Sequence, residues 1–312
     1  MPLPENFYAP WESVIDTFAG IDELLTSLSE RWLSQNRQFA WRGVADATYP
    51  LHSSLYRRLL WKREAEGIAE PPDETALSEA EEEILSETRR WGLHNGPQGR
   101  LSTLNQLAAL QHFGAPTRLI DVTLNAYIGL WFAVEKDDDR DGRLFAIDIT
   151  SRLINEQEEL RDWEDRMDRP WSDLPEDRWT GQTVAWRPPP VERRISAQNG
   201  AFLFGGVPKT RPGFQVPKRP SGGRTWPRDE VRQATSLPLR LHVANPRAGG
   251  VAAGGAPAYT FRIAASVKPV IRQRLRALFG YSHRTIYPDL PGFAQHGTSL
   301  PTAPVAGLAA ST

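Results

Sequence analysis

Gln111-His112-Phe113-Gly114-Ala115-Pro116-Thr117-Arg118-Leu119-Ile120-Asp121-Val122-Thr123 crowds polar and ionisable side chains between two apolar helices. Upstream, Leu104, Leu107, Ala108 and Gln111 recur at helical spacing, behind a Thr103/Gln106 pair at capping-box distance. Gly114 should end that helix, and Pro116 prevents its continuation. Arg118 to Val122 then reads as a strand, which leads through Thr123 into an apolar helix from about Asn125 to Glu135. Gln111 falls on the apolar face of its own helix, so it must hydrogen-bond inside the protein. Arg118 and Asp121 lie on opposite faces of an ideal strand and need different partners. Such density argues for a site, with a rigid structural network as the rival reading.

Working outward, residues 20–35 carry a helical stripe of Ile21, Leu24, Leu25, Leu28 and Trp32. A β-type run, Gln38 to Arg42, is ended by Gly43. Residues 74–91 predict a helix with Leu77, Ile84, Leu85, Thr88 and Trp91 inward and the Glu79–Glu83 run as its wet face. Gly142 to Ile149 reads as a strand and Ser266 to Phe279 as a helix stopped by Gly280. The expected division is an N-terminal helical segment over 1–36, one domain over 37–297 and a disordered tail over 298–312. Within the domain, an acidic surface insertion is expected near 150–180 and a basic loop near 205–232. Helix and strand alternate without the even spacing of a doubly wound sheet, and no phosphate-binding glycine fingerprint or Walker sequence is present. The class expected is therefore α+β, a split, curved mixed sheet flanked by helices.

Composition excludes several functions. The 312 residues hold 37 basic and 38 acidic side chains, so global charge steers the protein towards neither nucleic acid nor an anionic membrane. Cysteine is absent, which removes disulfides, a thiol nucleophile and thiolate metal sites. The six histidines show no metal-ligand spacing, so no metal is expected. No apolar run is long enough to span a bilayer, no secretory signal opens the chain, and a cytoplasmic location is expected.

Trp41-Arg42-Gly43 is a second candidate. An arginine closing a hydrophobic strand needs an anionic partner, and its planar fork suits a phosphate. Gly43 would let backbone or ligand approach closely. A structural ion pair, for instance with Asp121, is the alternative. A third stretch, Arg194 to Phe202, reads alone as a turn entering a strand.

These pieces together resemble the FRG (Phe-Arg-Gly) domain family. That family joins an aromatic-Arg-Gly strand to a Gln-His-aromatic-Gly-x-Pro-Thr-Arg-Leu-Leu-Asp-x-Thr segment and an apolar helix. A Gln-x-Gly-x-Phe strand and an aromatic-Pro-Asp-Leu follow. Here they are Trp41-Arg42-Gly43, Gln111 to Thr123, Asn125 to Ala133, Gln198 to Phe202 and Tyr287-Pro288-Asp289-Leu290, spanning roughly 38–293. Trp41 stands where the name-giving phenylalanine is usual, and Ile120-Asp121-Val122 replaces Leu-Asp-Trp.

The order of motifs is also similar, more distantly, to ADP-ribosyltransferases that use an arginine, a Ser-Thr-Ser strand and a glutamate. That resemblance implies an ADP-ribosyltransferase-like fold, NAD as substrate, and an effector acting on a macromolecule, whether nucleic acid or protein. Such bacterial effectors are often toxins or phage-defence proteins, and an antitoxin or other partner is conceivable on the same grounds. By this resemblance Arg42, His112, Asp121 and Gln198 are the catalytic candidates. Arg42, Gly43, Thr117, Arg118 and Thr123 are the cofactor-binding ones. Gln198 stands where those enzymes carry glutamate. An amide keeps a hydrogen bond but loses the charge term, so catalysis needs another carboxylate, with Asp121 or Glu192 nearest.

Two further readings stand beside this one. The same pocket could serve a non-catalytic nucleotide or nucleic-acid recognition module. The basic excess over 187–232 either neutralises the acidic excess over 135–178 or forms a rim for nucleic acid. If the candidates serve one site, Arg42, His112, Asp121, Thr123 and Gln198 should converge on one pocket, with Arg42 and Gln198 on neighbouring strands.

Overall fold

Among the described residues eight strands form one mixed sheet: β1 (Glu12–Ile15), β2 (Phe39–Val44), β3 (Ile120–Thr123), β4 (Gly142–Asp148), β5 (Thr183–Trp186), β6 (Gly200–Gly205), β7 (Leu239–Leu241) and β8 (Ala256–Ile263). The computed structural model describes residues 4–34, 36–96, 99–189, 193–209, 215–243 and 256–297. Glu192, the 298–312 tail and most of the glycine/alanine-rich stretch before β8 lie outside the described residues. The strand order is β1-β8-β4-β2-β3-β6-β5, with β7 paired to β8. β1 and β7 run parallel to β8, and every other pairing is antiparallel. The class is α+β, as expected.

One joint divides the sheet. β2 pairs with β4 over six residues, but with β3 through the single pair Trp41–Thr123. Beyond that rung the strands diverge, and the Arg42 guanidinium donates to the Asp121 carbonyl that a continued ladder would have used. The side chain thus satisfies the backbone group that the divergence frees.

The helices are α1 (Pro4–Tyr8), α2 (Phe18–Ser34), α3 (Ser54–Ala65), α4 (Glu74–Arg90), α5 (Thr103–His112), α6 (Ala126–Val134), α7 (Glu176–Trp179), α8 (Arg193–Ala197), α9 (Arg228–Ala234), α10 (Lys268–Phe279), α11 (His283–Ile286) and α12 (Leu290–His296). Ser102, not Thr103, caps α5, its hydroxyl accepting from the Asn105 amide and side chain. α6 starts at Asn125, whose side chain accepts from the Tyr127 and Ile128 amides. It lies directly on β2, because a Cβ at Gly43 would stand 1.9 Å from the Gly129 carbonyl oxygen. Gly43 is glycine for this helix–strand contact.

Three apolar layers follow from strand alternation. Ala40, Ile120, Val122, Ile147 and Leu203 share one core with α1 and α9. On the opposite face, Trp41, Leu144 and Phe261 pack against α2, α6 and α10. Phe202, Phe204 and Val184 pack there instead with α4, α5 and the Trp163, Trp171 and Trp179 indoles. The two layers on this face cover different halves of the sheet.

Two expectations are corrected here. Residues 1–36 are no separate helical segment, because β1 pairs with Thr260 to Ile263 at the sheet edge. The 150–180 stretch is no surface insertion: it has the expected short helical pieces, but Trp163, Trp171 and Trp179 are buried. Tryptophans carry too much apolar area for a solvated loop.

His52 is buried, with Nε2 on the Arg232 carbonyl at 2.9 Å and Nδ1 without a hydrogen-bond partner among the described residues. Burial pushes its pKa down to about 3, with only partial relief from the Arg232 carbonyl. A histidine held below its ordinary value of about 6.5 gives full stability above that pH and loses it as pH falls. His242, His283 and His296 are shifted in the same direction, also chiefly by burial. Urea denaturation should therefore show stability falling between pH 6.5 and 5, with His52 contributing about 1.4 kcal/mol per unit. His52→Asn should flatten that slope. An unchanged slope would mean that the imidazole takes its proton without cost.

Candidate functional site

The gap between the two helix layers is a cleft of about 360 Å³, bounded by Trp41 and Phe132 on one side and by Phe202 and Ala108 on the other. Arg42, Gly43, His112, Asp121, Thr123 and Gln198 all line it. Six residues from four separate stretches of sequence thus meet at the joint in the sheet.

Their local roles differ. Asp121 is exposed to the cleft, and its Oδ2 accepts from Gln111 Nε2 at 2.9 Å. Gln111 is itself fixed by Thr117 Oγ1 at 2.7 Å and Ser54 Oγ at 3.3 Å, both donating to its Oε1. Arg42 makes no carboxylate ion pair among the described residues; its one side-chain hydrogen bond is to the Asp121 carbonyl. Burial lowers the Arg42 pKa, Asp121 opposes that, and the neighbouring Arg57 charge lowers it further. Arg57 is half-buried, and its guanidinium has no hydrogen bond or ion pair among the described residues. Both guanidiniums feel the charge of Asp121, the one exposed carboxylate near them.

Thr123 Oγ1 donates to the Gln198 carbonyl at 2.6 Å and accepts from the Asn125 amide at 3.0 Å. Its hydroxyl is used in shaping the turn. Gln198 precedes β6, and β3 separates β6 from the Arg42 strand, so the two do not sit on neighbouring strands. The Gln198 Nε2 donates to the Ile286 carbonyl at 3.1 Å. Asn199 follows in the left-handed region (φ 44°), which asparagine tolerates.

Arg118 and Thr117 are not wall residues. Arg118 is 1% exposed, with Nε on Glu81 at 2.6 Å, Nη1 on Glu74 at 3.2 Å and on the Gly205 carbonyl at 3.3 Å. Its guanidinium lies 5.3 Å and 5.6 Å from the Trp171 and Trp179 rings. Glu81 thus belongs to the core and not to the wet face of α4. Arg118 binds the protein together and reaches no ligand. Thr117 is fully buried and holds Gln111, so it positions Asp121 from behind. Gly43 does line the cleft, but its missing Cβ makes room for α6.

The far wall brings in residues that motif reading did not rank. Glu135, at the end of α6, accepts from Tyr287 Oη at 2.7 Å. Burial raises its pKa, and the Tyr287 hydrogen bond and Lys136 only partly offset that. Arg194 clasps Asp289 with two 2.6 Å bonds and lies 5.3 Å from the Tyr287 ring. Burial works against the Asp289 charge, but Arg194 and the Gly292 amide outweigh it and hold the carboxyl below the usual range. The Tyr287-Pro288-Asp289-Leu290 motif therefore caps α12 and ties the Gln198 turn to the C-terminal helices. Arg57 carried no motif signal, being one of several basic residues on an amphipathic helix.

Around the basic segment, Lys209 pairs with Glu176 at 3.2 Å and Asp177 at 3.7 Å, across to the acidic stretch. Arg228 pairs with Glu70, and Arg232 is buried on the Pro208 carbonyl. Arg194, Lys209, Lys218 and Arg228 thus have carboxylate partners within the fold. Among the described residues there is no group of three or more metal-ligating side chains, and no helix long and apolar enough to cross a membrane.

Residues 37–142 match the family model of the FRG domain, from just before β2 to the first residue of β4. The match takes in Arg42, Arg57, His112, Asp121, Thr123 and Glu135, and leaves Gln198 and Tyr287 beyond it. No curated protein and no solved structure matches the chain.

Proposed function

We propose that the protein is an ADP-ribosyltransferase-like effector that binds NAD in this cleft and transfers ADP-ribose to a macromolecule. The observation that carries this reading is the Arg42–Arg57 pair. Two half-buried guanidiniums that line one cleft and make no carboxylate ion pair among the described residues would gain from an anion held by both, and a pyrophosphate fits that need. The nicotinamide riboside then enters the cleft beyond Arg42, where Asp121 and Glu135 are the two carboxylates on the walls.

Asp121 is pinned by Gln111 and shares the field of both arginines, so it balances charge. Among the described residues Glu135 has no arginine partner, and it supplies the negative charge that position 198 lacks. As the C1′–nicotinamide bond breaks, the pair of electrons leaves with nicotinamide and positive charge develops on the ribose. Glu135 stabilises that charge and takes the proton from the attacking acceptor. His112 lines the cleft beside exposed Phe113 and would orient the acceptor.

Calorimetry with NAD and mass spectrometry for released nicotinamide test the reading. Arg42→Ala and Arg57→Ala should each weaken NAD binding by about tenfold to a hundredfold, the scale of a charge-assisted hydrogen bond. A folded wild-type protein that neither binds NAD nor releases nicotinamide would sink it. A non-catalytic recognition module is the second reading, favoured by the neutral Gln198. Gln198→Glu cannot separate the two, because the new carboxylate would face the Ile286 carbonyl that the amide now serves.

A further inference from the structure

A second cleft of about 870 Å³ opens on the other side of Arg42, and the two share Arg42, Val44 and Tyr49 as a common wall. Arg57 and Trp61 line it from α3, one helical turn apart and so on one face of the helix. Trp61 is 61% exposed, and Tyr49 and Ile68 are each nearly half exposed. Large apolar side chains gathered around a cleft and left to water mark a place where something else covers them. An indole and a phenol beside two guanidiniums that make no ion pair among the described residues suit a flat aromatic base that carries a phosphate.

Resting on the NAD reading above, we infer that the second cleft is a nucleoside subsite. It takes the adenosine half of a dinucleotide whose pyrophosphate lies between Arg42 and Arg57. Geometry sets which half goes where. The exposed indole stands only in the second cleft, so the unreactive base belongs with Trp61 and the reactive riboside belongs in the first cleft beside Asp121 and Glu135. A ligand anchored at the shared arginine must extend to both sides, which selects a dinucleotide over a mononucleotide.

A single-stranded nucleic acid is the rival occupant. The wall that the second cleft does not share with the first carries Glu64 and Glu70 beside Ile68, Ala69 and Pro71. Arg63, also on that wall, spends Nη1 on the Glu70 and Pro71 carbonyls. A strand would bring a phosphate past Glu64, Glu70 being already paired with Arg228, whereas a terminal nucleoside brings only a neutral base and sugar.

The test is calorimetry of wild-type, Trp61→Ala and Tyr49→Ala proteins with NAD, nicotinamide mononucleotide, AMP and a single-stranded oligonucleotide. Both side chains are exposed enough for the variants to fold. Trp61→Ala should weaken NAD and AMP by about tenfold to a hundredfold, the range for loss of a base–aromatic stack, and leave nicotinamide mononucleotide unchanged. AMP that binds through Trp61 while NAD does not bind at all would keep the nucleoside subsite and remove the NAD reading. NAD binding that ignores both substitutions would overturn the subsite and leave the NAD reading intact. Oligonucleotide binding that needs Trp61, with AMP and NAD indifferent to it, would also overturn the subsite and make the second cleft a nucleic-acid track.

Discussion

Arg118→Ala should destabilise the protein by about 3–5 kcal/mol, the cost of stripping one partner from a buried ion cluster. Burial opposes the Arg118 charge, but Glu81 and Glu74 more than restore it. Without the guanidinium, two carboxylates that are almost fully buried keep only neutral donors, apart from Arg169 at 3.4 Å from Glu81. Those donors are the Trp171 and Trp179 indoles, Ser78 and the Val207 amide. The Gly205 carbonyl at the end of β6 would also lose its Arg118 donor. Urea denaturation reads the loss directly. The double variant Arg118→Met with Glu81→Gln should recover part of it by removing one stranded charge. A loss under about 1 kcal/mol for Arg118→Ala would show that water or rearrangement neutralises the cluster, and that the arginine is not central to the fold.

Glu135→Gln should lower nicotinamide release by about a hundredfold to ten-thousandfold while leaving NAD affinity and unfolding midpoint close to wild type. Glutamine preserves the acceptor for the Tyr287 hydroxyl and removes only the charge. Because burial raises the Glu135 pKa, the carboxylate forms above the ordinary glutamate value of about 4.3. Turnover should therefore fall on the acid side with a midpoint above that value. The Tyr287 hydrogen bond lowers the Glu135 pKa, so Tyr287→Phe should move the acid limb to still higher pH. Release that persists undiminished in Glu135→Gln would assign the carboxylate role elsewhere, with Asp121 next. An inactive wild type that still binds NAD would support pure recognition.

Much of the site was legible because it consists of strand ends and turns with distinctive side chains. Gln111 on the apolar face of α5 had to find an internal partner, and it holds Asp121. Arg118 and Asp121 do take different partners, Glu74 and Glu81 for one and the cleft for the other, but not by strand alternation: Arg118 precedes β3 and packs with the Trp171 and Trp179 layer on the cleft's own face. Period alone did not reveal which polar side chain the core accepts. Glu81 falls between Leu77 and Leu85 on the inward stripe of α4, yet a run of acidic neighbours disguised it as surface. Arg57 was hidden for the opposite reason: α3 carries several basic residues, and only the approach of β2 from elsewhere in the chain distinguishes one of them. The β1 pairing with β8 joins residues 248 apart at Glu12 and Thr260, a contact that no local pattern encodes.

The single Trp41–Thr123 rung has a mechanical meaning. A continuous ladder resists bending along its whole length, but two half-sheets sharing one residue pair form a joint. Across that joint the Arg42 bond to the Asp121 carbonyl acts as a tie bar, and its free donors face the cleft. An anion held by Arg42 on one half and by the groups around Asp121 on the other would be a second tie bar. Occupancy would then stiffen the protein at the place where its own backbone leaves it most compliant.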